Sequence, residues 1–269
     1  CMLSGMIDSS TVFMFMGFFF AAYSVVGNDS VQTLGTFIAS NVNKFKWYYL
    51  WIAASLVLIF TLTFGWYTND GDISYGRLDS IPLPEKIEWY HAAAPLVLVA
   101  LTRFGIPVST TFLVLSAFAS SAVLEKMLIK SFLGYGIAAV SAYALWWILS
   151  HYLNEHLPVK TSHANYWRVA QWGTTGFLWF TWLSHDVANI AVFLPRSMSV
   201  AYLVFSITVL VLGLGYIFWK RGGKIQKIVL EKTACPYIGF LSPSYHKKIS
   251  SGHYWDYGKC RKNLNKRSD

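Results

Sequence analysis

Two carboxylates stand out first, because each follows a stretch that otherwise suits lipid. Asp29 lies in GNDSVQTLGT, residues 27–36, directly behind the uncharged run TVFMFMGFFFAAYSVV. Asp186 lies in LSHDVANIAVFLPR, behind a second aromatic-rich run. An acid at the centre of a membrane span costs roughly 2.5–3.5 kcal/mol on insertion scales, so such residues mark function by default. Carboxylates with freed backbone carbonyls are hard oxygen ligands, suited to Na+ or a proton, although an Asp can also simply cap a resumed helix. A third polar cluster, Ser109, Thr110 and Thr111 in GIPVSTTF, has the opposite character. Hydroxyls beside the free N–H groups of a first helical turn attract anions, and Ser109 alone would serve as an ordinary cap. Together the three clusters suggest an anion and a coupling cation. Asn28, Gln32, Thr33, Thr36 and Asn189 can add neutral hydrogen bonds to either. His185 beside Asp186 suits a proton relay or a neutral hydrogen-bonded imidazole. His91 is expected at an interface, and Trp146 and Trp147 in span packing or an interfacial belt. No nucleophile accompanies the His185–Asp186 pair at usable spacing, so an enzyme is not expected.

What positions these residues follows from composition. The chain has 269 residues, 55% hydrophobic and only 13% charged, where soluble domains carry about 25% charged residues. An all-α polytopic membrane protein is expected, with apolar stretches near 11–26, 47–66, 90–104, 108–124, 131–153, 166–183 and 197–219. The first and sixth run into the two Asp patches, which predicts broken helices lining a buried or wet site. The third and fourth are short and joined at Gly105 and Pro107, which predicts a re-entrant hairpin. Much of the net charge of +9 lies after Trp219, as at a cytoplasmic end, so nucleic-acid binding is not expected. Cys1, Cys235 and Cys260 have neither disulfide-framework nor zinc spacing. The sequence begins at Cys1 rather than Met, which reads as a fragment, and shows no cleavable signal peptide.

The two halves echo each other. Asp186 follows Asp29 by 157 positions, and Trp219, closing AYLVFSITVLVLGLGYIFW, follows Trp66, closing YYLWIAASLVLIFTLTFGW, by 153. GRLDSIPLPEK then has an echo in GKIQKIVLEK. Three landmarks in one order predict an internal duplication. With a re-entrant hairpin the first copy crosses three times, so the second inserts upside down, the inverted-repeat plan of many secondary transporters. The expected organisation is a first repeat over 1–153, a partial second inverted repeat over 154–232, and a basic polar tail over 233–269. The tail has no second hairpin. Either the chain is truncated or diverged there, or another subunit supplies that part, as in a homodimer. Lys44, Lys46, Lys160 and the tail from Lys220 form the more basic side. Residues 70–88 and 126–130 lie on the other, where acids dilute the bases. The first side is therefore expected in the cytoplasm, with the N-terminus outside.

NDSVQTLGT and HDVANIAV resemble the Asn-Asp-Val-Ala-Asn-Ala signature that the PiT-type inorganic phosphate transporter family carries once per half. GIPVSTTF resembles that family's Gly-x-Pro-Val-Ser-Thr-Thr-His motif. The resemblance covers roughly residues 12–232. This chain departs from it at Gln32, His185 and Phe112, which stand where the family has Asn, Asn and His. The resemblance implies symport of inorganic phosphate with Na+ or H+ across an inner or plasma membrane. Phosphate would lie on Ser109, Thr110, Thr111, Asn28 and Asn189, and the cation at Asp29, Asp186 and Gln32. No cofactor beyond the coupling ion is expected. The alternatives are another tetrahedral oxyanion, sulfate above all, or a non-transporting membrane receptor or subunit.

Overall fold

The computed structural model describes residues 8–41, 44–104, 106, 108–156, 164–222 and 226. Gly105, Pro107, Lys160, Lys224 and the tail over 233–269 lie outside the described residues. The described chain is all-helical, and four of its helical runs are long and apolar enough to cross a membrane: Ser9–Asn41, Trp47–Thr68, Ser121–Ile148 and Val200–Trp219. The protein is an all-α membrane protein.

The first run comprises α1 (Ser9–Ser24), a π-helical turn (Val25–Asp29) and α2 (Ser30–Asn41). It continues into α3 (Trp47–Thr68), and after a long loop come α4 (Trp89–Phe104) and the short α5 (Thr110–Leu115). Then follow α6 (Ser121–His156), α7 (Ala164–Asp186), α8 (Ala188–Ala191) and α9 (Val200–Trp219). α3 and α9 are apolar on every side, as helices sunk among other helices or lipid are.

Tryptophan N–H groups fix the heights of the helices. Trp66 Nε1 donates to Met198 O at 2.8 Å and Trp51 Nε1 to Val211 O at 2.9 Å, so α3 and α9 pack antiparallel. Trp179 Nε1 donates to Ala54 O, and the Phe45 and Trp172 rings meet at 5.4 Å, so α7 runs parallel to α3. Asn41 meets Gln171 and Trp172, which places α2 antiparallel to α7. In lipid each such indole N–H needs a partner, because no water is at hand to supply one.

The expected hairpin is visible as geometry. α4 is 16 residues long and α5 only 6, about 24 and 9 Å. His91, at the start of α4, stacks on Phe118, just past α5, with ring centroids 4.5 Å apart. The chain therefore runs along α4 to Phe104, reverses before α5 begins at Thr110, and comes back to His91 at Phe118. α1 packs along α4, and a Cβ on Gly17 would lie 2.1 Å from the Phe193 ring, so only glycine admits that approach. α6 is different. None of the side chains in its apolar window is buried.

Candidate functional site

At the polar patches the regular α-helix gives way in two distinct manners. In the first, residues 25–29 widen into a π turn, with Ser30 N–H donating to Val25 O five residues back. A π turn inserts one residue, shifts the register of side chains and recurs at functional sites. Carbonyls loosened by it are met locally. Thr33 Oγ1 donates to Asp29 O at 2.9 Å, and Ser30 Oγ donates to Val26 O. In the second, α7 ends at Asp186, Val187 forms a single turn residue, and the chain resumes as the four-residue α8.

The wide turn aims Asn28 and Asp29 at the hairpin tip. Asn28 Nδ2 reaches Asp29 Oδ1 at 2.7 Å, Val108 O at 2.8 Å and Thr110 Oγ1 at 3.3 Å. Asn28 Oδ1 accepts from Gln32 Nε2 at 2.8 Å. Thr110 Oγ1 in turn donates to Asp29 Oδ1 at 2.8 Å. From the other patch, Asn189 Nδ2 donates to Thr111 Oγ1 at 3.1 Å. All three clusters named by the sequence therefore meet at one place. Asn28, Asp29, Thr110, Asp186 and Asn189 are each at most 4% exposed.

The unpartnered atoms define the chemistry. Asp29 Oδ2, Asp186 Oδ2 and Asn189 Oδ1 are buried without a hydrogen-bond partner. All three are acceptors, which is the donor set of a site for a cation or a proton rather than for an anion. Asp29 and Asp186 lie within electrostatic reach of each other. Asn189 has two roles at once: its amide N–H₂ holds Thr111, and its oxygen is left buried without a partner.

The remaining expected residues sit at the margin. Gln32 is exposed and reaches the site only through Asn28, and Thr36 is exposed. Ser109 is also exposed and caps α5, its Oγ accepting from Phe112 N–H at 3.4 Å. His185 faces outward beside the buried Asp186. His91, expected at an interface, is instead buried. Its Nδ1 accepts from Glu88 N–H at 3.0 Å while its ring lies on Phe118. Trp146 and Trp147 are exposed on α6.

Arg77 was not picked out from the sequence. It belongs to the loop over residues 69–88 and lies within electrostatic reach of both Asp186 and His185. Burial pulls its guanidinium below the usual value and Asp186 pushes it back up. Arg196 behaves alike, lowered by burial and raised by Asp72 and Asp79, with its Nη2 donating to Ile81 O. A usable signal was available in the sequence: Asp72, Ser74 and Gly76 at alternate positions, interleaved with apolar Ile73 and aromatic Tyr75, in a loop otherwise read only for charge. No family model matches the chain, and no curated protein or solved structure matches it either.

Proposed function

We propose that the chain is a secondary transporter that moves inorganic phosphate together with Na+ or H+. The observation that carries this reading is the convergence of Asn28–Asp29, Thr110–Thr111 and Asp186–Asn189 on one buried point. These are the segments through which the sequence resembles the PiT-type family. Each Na+ or proton entering among Asp29 Oδ2, Asp186 Oδ2 and Asn189 Oδ1 offsets one unit of negative charge on the buried carboxylate pair. The loaded site is then less costly to occlude, and the two halves rock about it. The antiparallel pairing of α3 with α9, which the sequence matches to each other, supports an inverted repeat. In this reading the chain crosses the membrane several times, with its C-terminal end in the cytoplasm.

Uptake of radiolabelled phosphate into proteoliposomes tests the proposal, driven by an inward Na+ gradient or by an acidic exterior. Concentrative uptake under one gradient, poorly competed by sulfate, is the expected outcome. Sulfate lacks the proton that phosphate still carries at neutral pH and can donate to an ionised Asp. Sulfate competing as well as phosphate would move the reading to a general oxyanion carrier. No uptake under either gradient from a monodisperse preparation would leave a receptor or subunit instead.

A further inference from the structure

The loop over residues 69–88 has an exposed outer part, with Asp79, Leu83 and Glu85 open, and an inner part that folds into the bundle. Asp72 folds it into a tight turn: Oδ1 accepts from Ser74 N–H at 2.7 Å, and Oδ2 from Ser74 Oγ at 2.7 Å and Gly76 N–H at 2.9 Å. Tyr75 and Gly76 take left-handed backbone angles, φ 57° and 70°. This drives Tyr75 down into the bundle, where its hydroxyl donates to Thr61 O at 2.6 Å. Thr61 is seven residues before the end of α3, about 10 Å inside. Gly65 makes the room, since a Cβ there would lie 2.7 Å from the Tyr75 ring. Ile73, Ser74, Leu78 and Ile81 are all buried. The loop's rim is fastened to the start of α9, with Met198 N–H donating to Gly71 O at 3.0 Å and Ser197 Oγ to Asp70 O at 3.0 Å.

Asp186 lies at the same height. α7 is parallel to α3, with Trp179 beside Ala54 and the Phe180 and Phe60 rings 5.9 Å apart. Six or seven residues further along, Asp186 falls beside residues 61–66 of α3, level with the Tyr75 anchor. Arg77, two residues past that anchor, is thus carried to the carboxylate site while its side chain stays partly open to the outside. Asp186 Oδ2 has no hydrogen-bond partner, so no contact at that oxygen ties the guanidinium down.

We propose that Arg77 is the anion-recognising cation of the site, held at its mouth by the inserted loop. The inference rests on the transport reading and adds to it what the hairpin does not supply. Thr110 donates its only O–H to Asp29, Thr111 accepts from Asn189 and has a single neutral O–H to offer, and α5 is too short at six residues to offer much dipole. An anion drawn toward two carboxylates needs a fixed positive charge. A guanidinium is always protonated and offers a planar fork that grips two oxygens of a tetrahedral oxyanion. Arg196 donates from Nη2 to Ile81 O and has Asp72 and Asp79 as its electrostatic neighbours, whereas the carboxylate that Arg77 meets is Asp186.

The test combines equilibrium binding of radiolabelled phosphate to the purified full chain with uptake in proteoliposomes. Arg77→Gln should raise the Kd and KM for phosphate roughly ten- to a hundred-fold, with the half-saturating coupling-cation concentration unchanged. Arg77→Lys, which keeps the charge and loses the fork, should fall between. A wild-type phosphate Kd in Arg77→Gln, or in Arg77→Lys and its methionine counterpart if Arg77→Gln does not fold, overturns the inference. So does a loss shared equally by cation and phosphate and reversed by adding Asp186→Asn, which would make Arg77 a mere counter-ion. Phosphate binding that depends on Arg77 without uptake would sink the transport reading alone. Uptake indifferent to Arg77 would sink this inference alone, and no phosphate binding by the wild type would sink both.

Discussion

The two Asp patches carry the same sequence signal and are built in opposite ways. Around Asn28 and Asp29 the helix stays helical, widens by one residue, and makes three hydrogen bonds to the hairpin tip. Around Asp186 and Asn189 the helix stops and restarts, and one hydrogen bond reaches the hairpin. The first patch is a clasp. The second is open, with Asp186 Oδ2 and Asn189 Oδ1 facing inward without partners. Within one site, then, the first half supplies most of the rigidity and one open oxygen, Asp29 Oδ2, while the second supplies two open oxygens for a cation or proton. Preorganisation of this kind fixes ligand geometry on one side and leaves capacity on the other.

The sharpest way to break that contrast is to remove the two amides. Asn28→Ala deletes the two N–H donors, shared among three acceptors, and the acceptor for Gln32, about three bonds in all. At about 1 kcal/mol per net hydrogen bond it should cost about 3 kcal/mol of stability in detergent. Asn189→Ala deletes a single contact to Thr111 and should cost about 1 kcal/mol. Equal losses in unfolding measurements would show that the clasp is not confined to the first patch.

A smaller effect, but one of sign, separates the two acids. Asp29→Ala strands the buried Thr110 hydroxyl and one donor of Asn28, which should cost about 1–3 kcal/mol. Asp186→Ala removes a buried charge whose Oδ2 has no partner, so stability should be unchanged or raised. Both variants should lose cation-dependent uptake, because both acids contribute an inward oxygen. Retained cation dependence in Asp186→Ala would take the second patch out of the site.

Much of this arrangement could be read in the sequence. The long apolar runs became helices near their expected limits, because lipid demands continuous hydrogen-bonded segments. The three polar clusters met, because a polar residue at that depth needs a polar neighbour. The π turn was not legible. It changes register by one residue without changing composition, and is fixed by the Asn28 contacts to Val108 and Thr110, which are about 80 residues away in sequence. Nor was the division of the expected 108–124 stretch visible. α5 stops at Leu115 because Phe118 is drawn against His91 and Phe193, with centroids 4.5 and 5.1 Å apart. The inserted loop was missed for a related reason. Its counted charges described a side of the membrane, whereas its Asp72 turn and the Gly65 gap for Tyr75 decide where it goes.

Ser109 offers the finest test, because it stands at the seam between clasp and opening. The sequence placed it with Thr110 and Thr111 as an anion ligand. The fold leaves it exposed, capping a six-residue helix through a long 3.4 Å contact. A cap that weak and that wet lies at the low end of the usual range, so Ser109→Ala should cost less than about 1 kcal/mol of stability. Its hydroxyl is nevertheless free to turn to an arriving oxyanion, unlike that of Thr110, which is already given to Asp29. One hydrogen bond to a charged ligand is worth about tenfold in affinity, so phosphate binding should weaken by about that much, and by less than in Arg77→Gln. A loss in Ser109→Ala larger than in Arg77→Gln would place the anion at the hairpin mouth and not under the inserted loop. Unchanged affinity with a small loss of stability would make Ser109 a helix start alone. The open half of the site would then have to hold the anion through Arg77, Thr111 and Asn189.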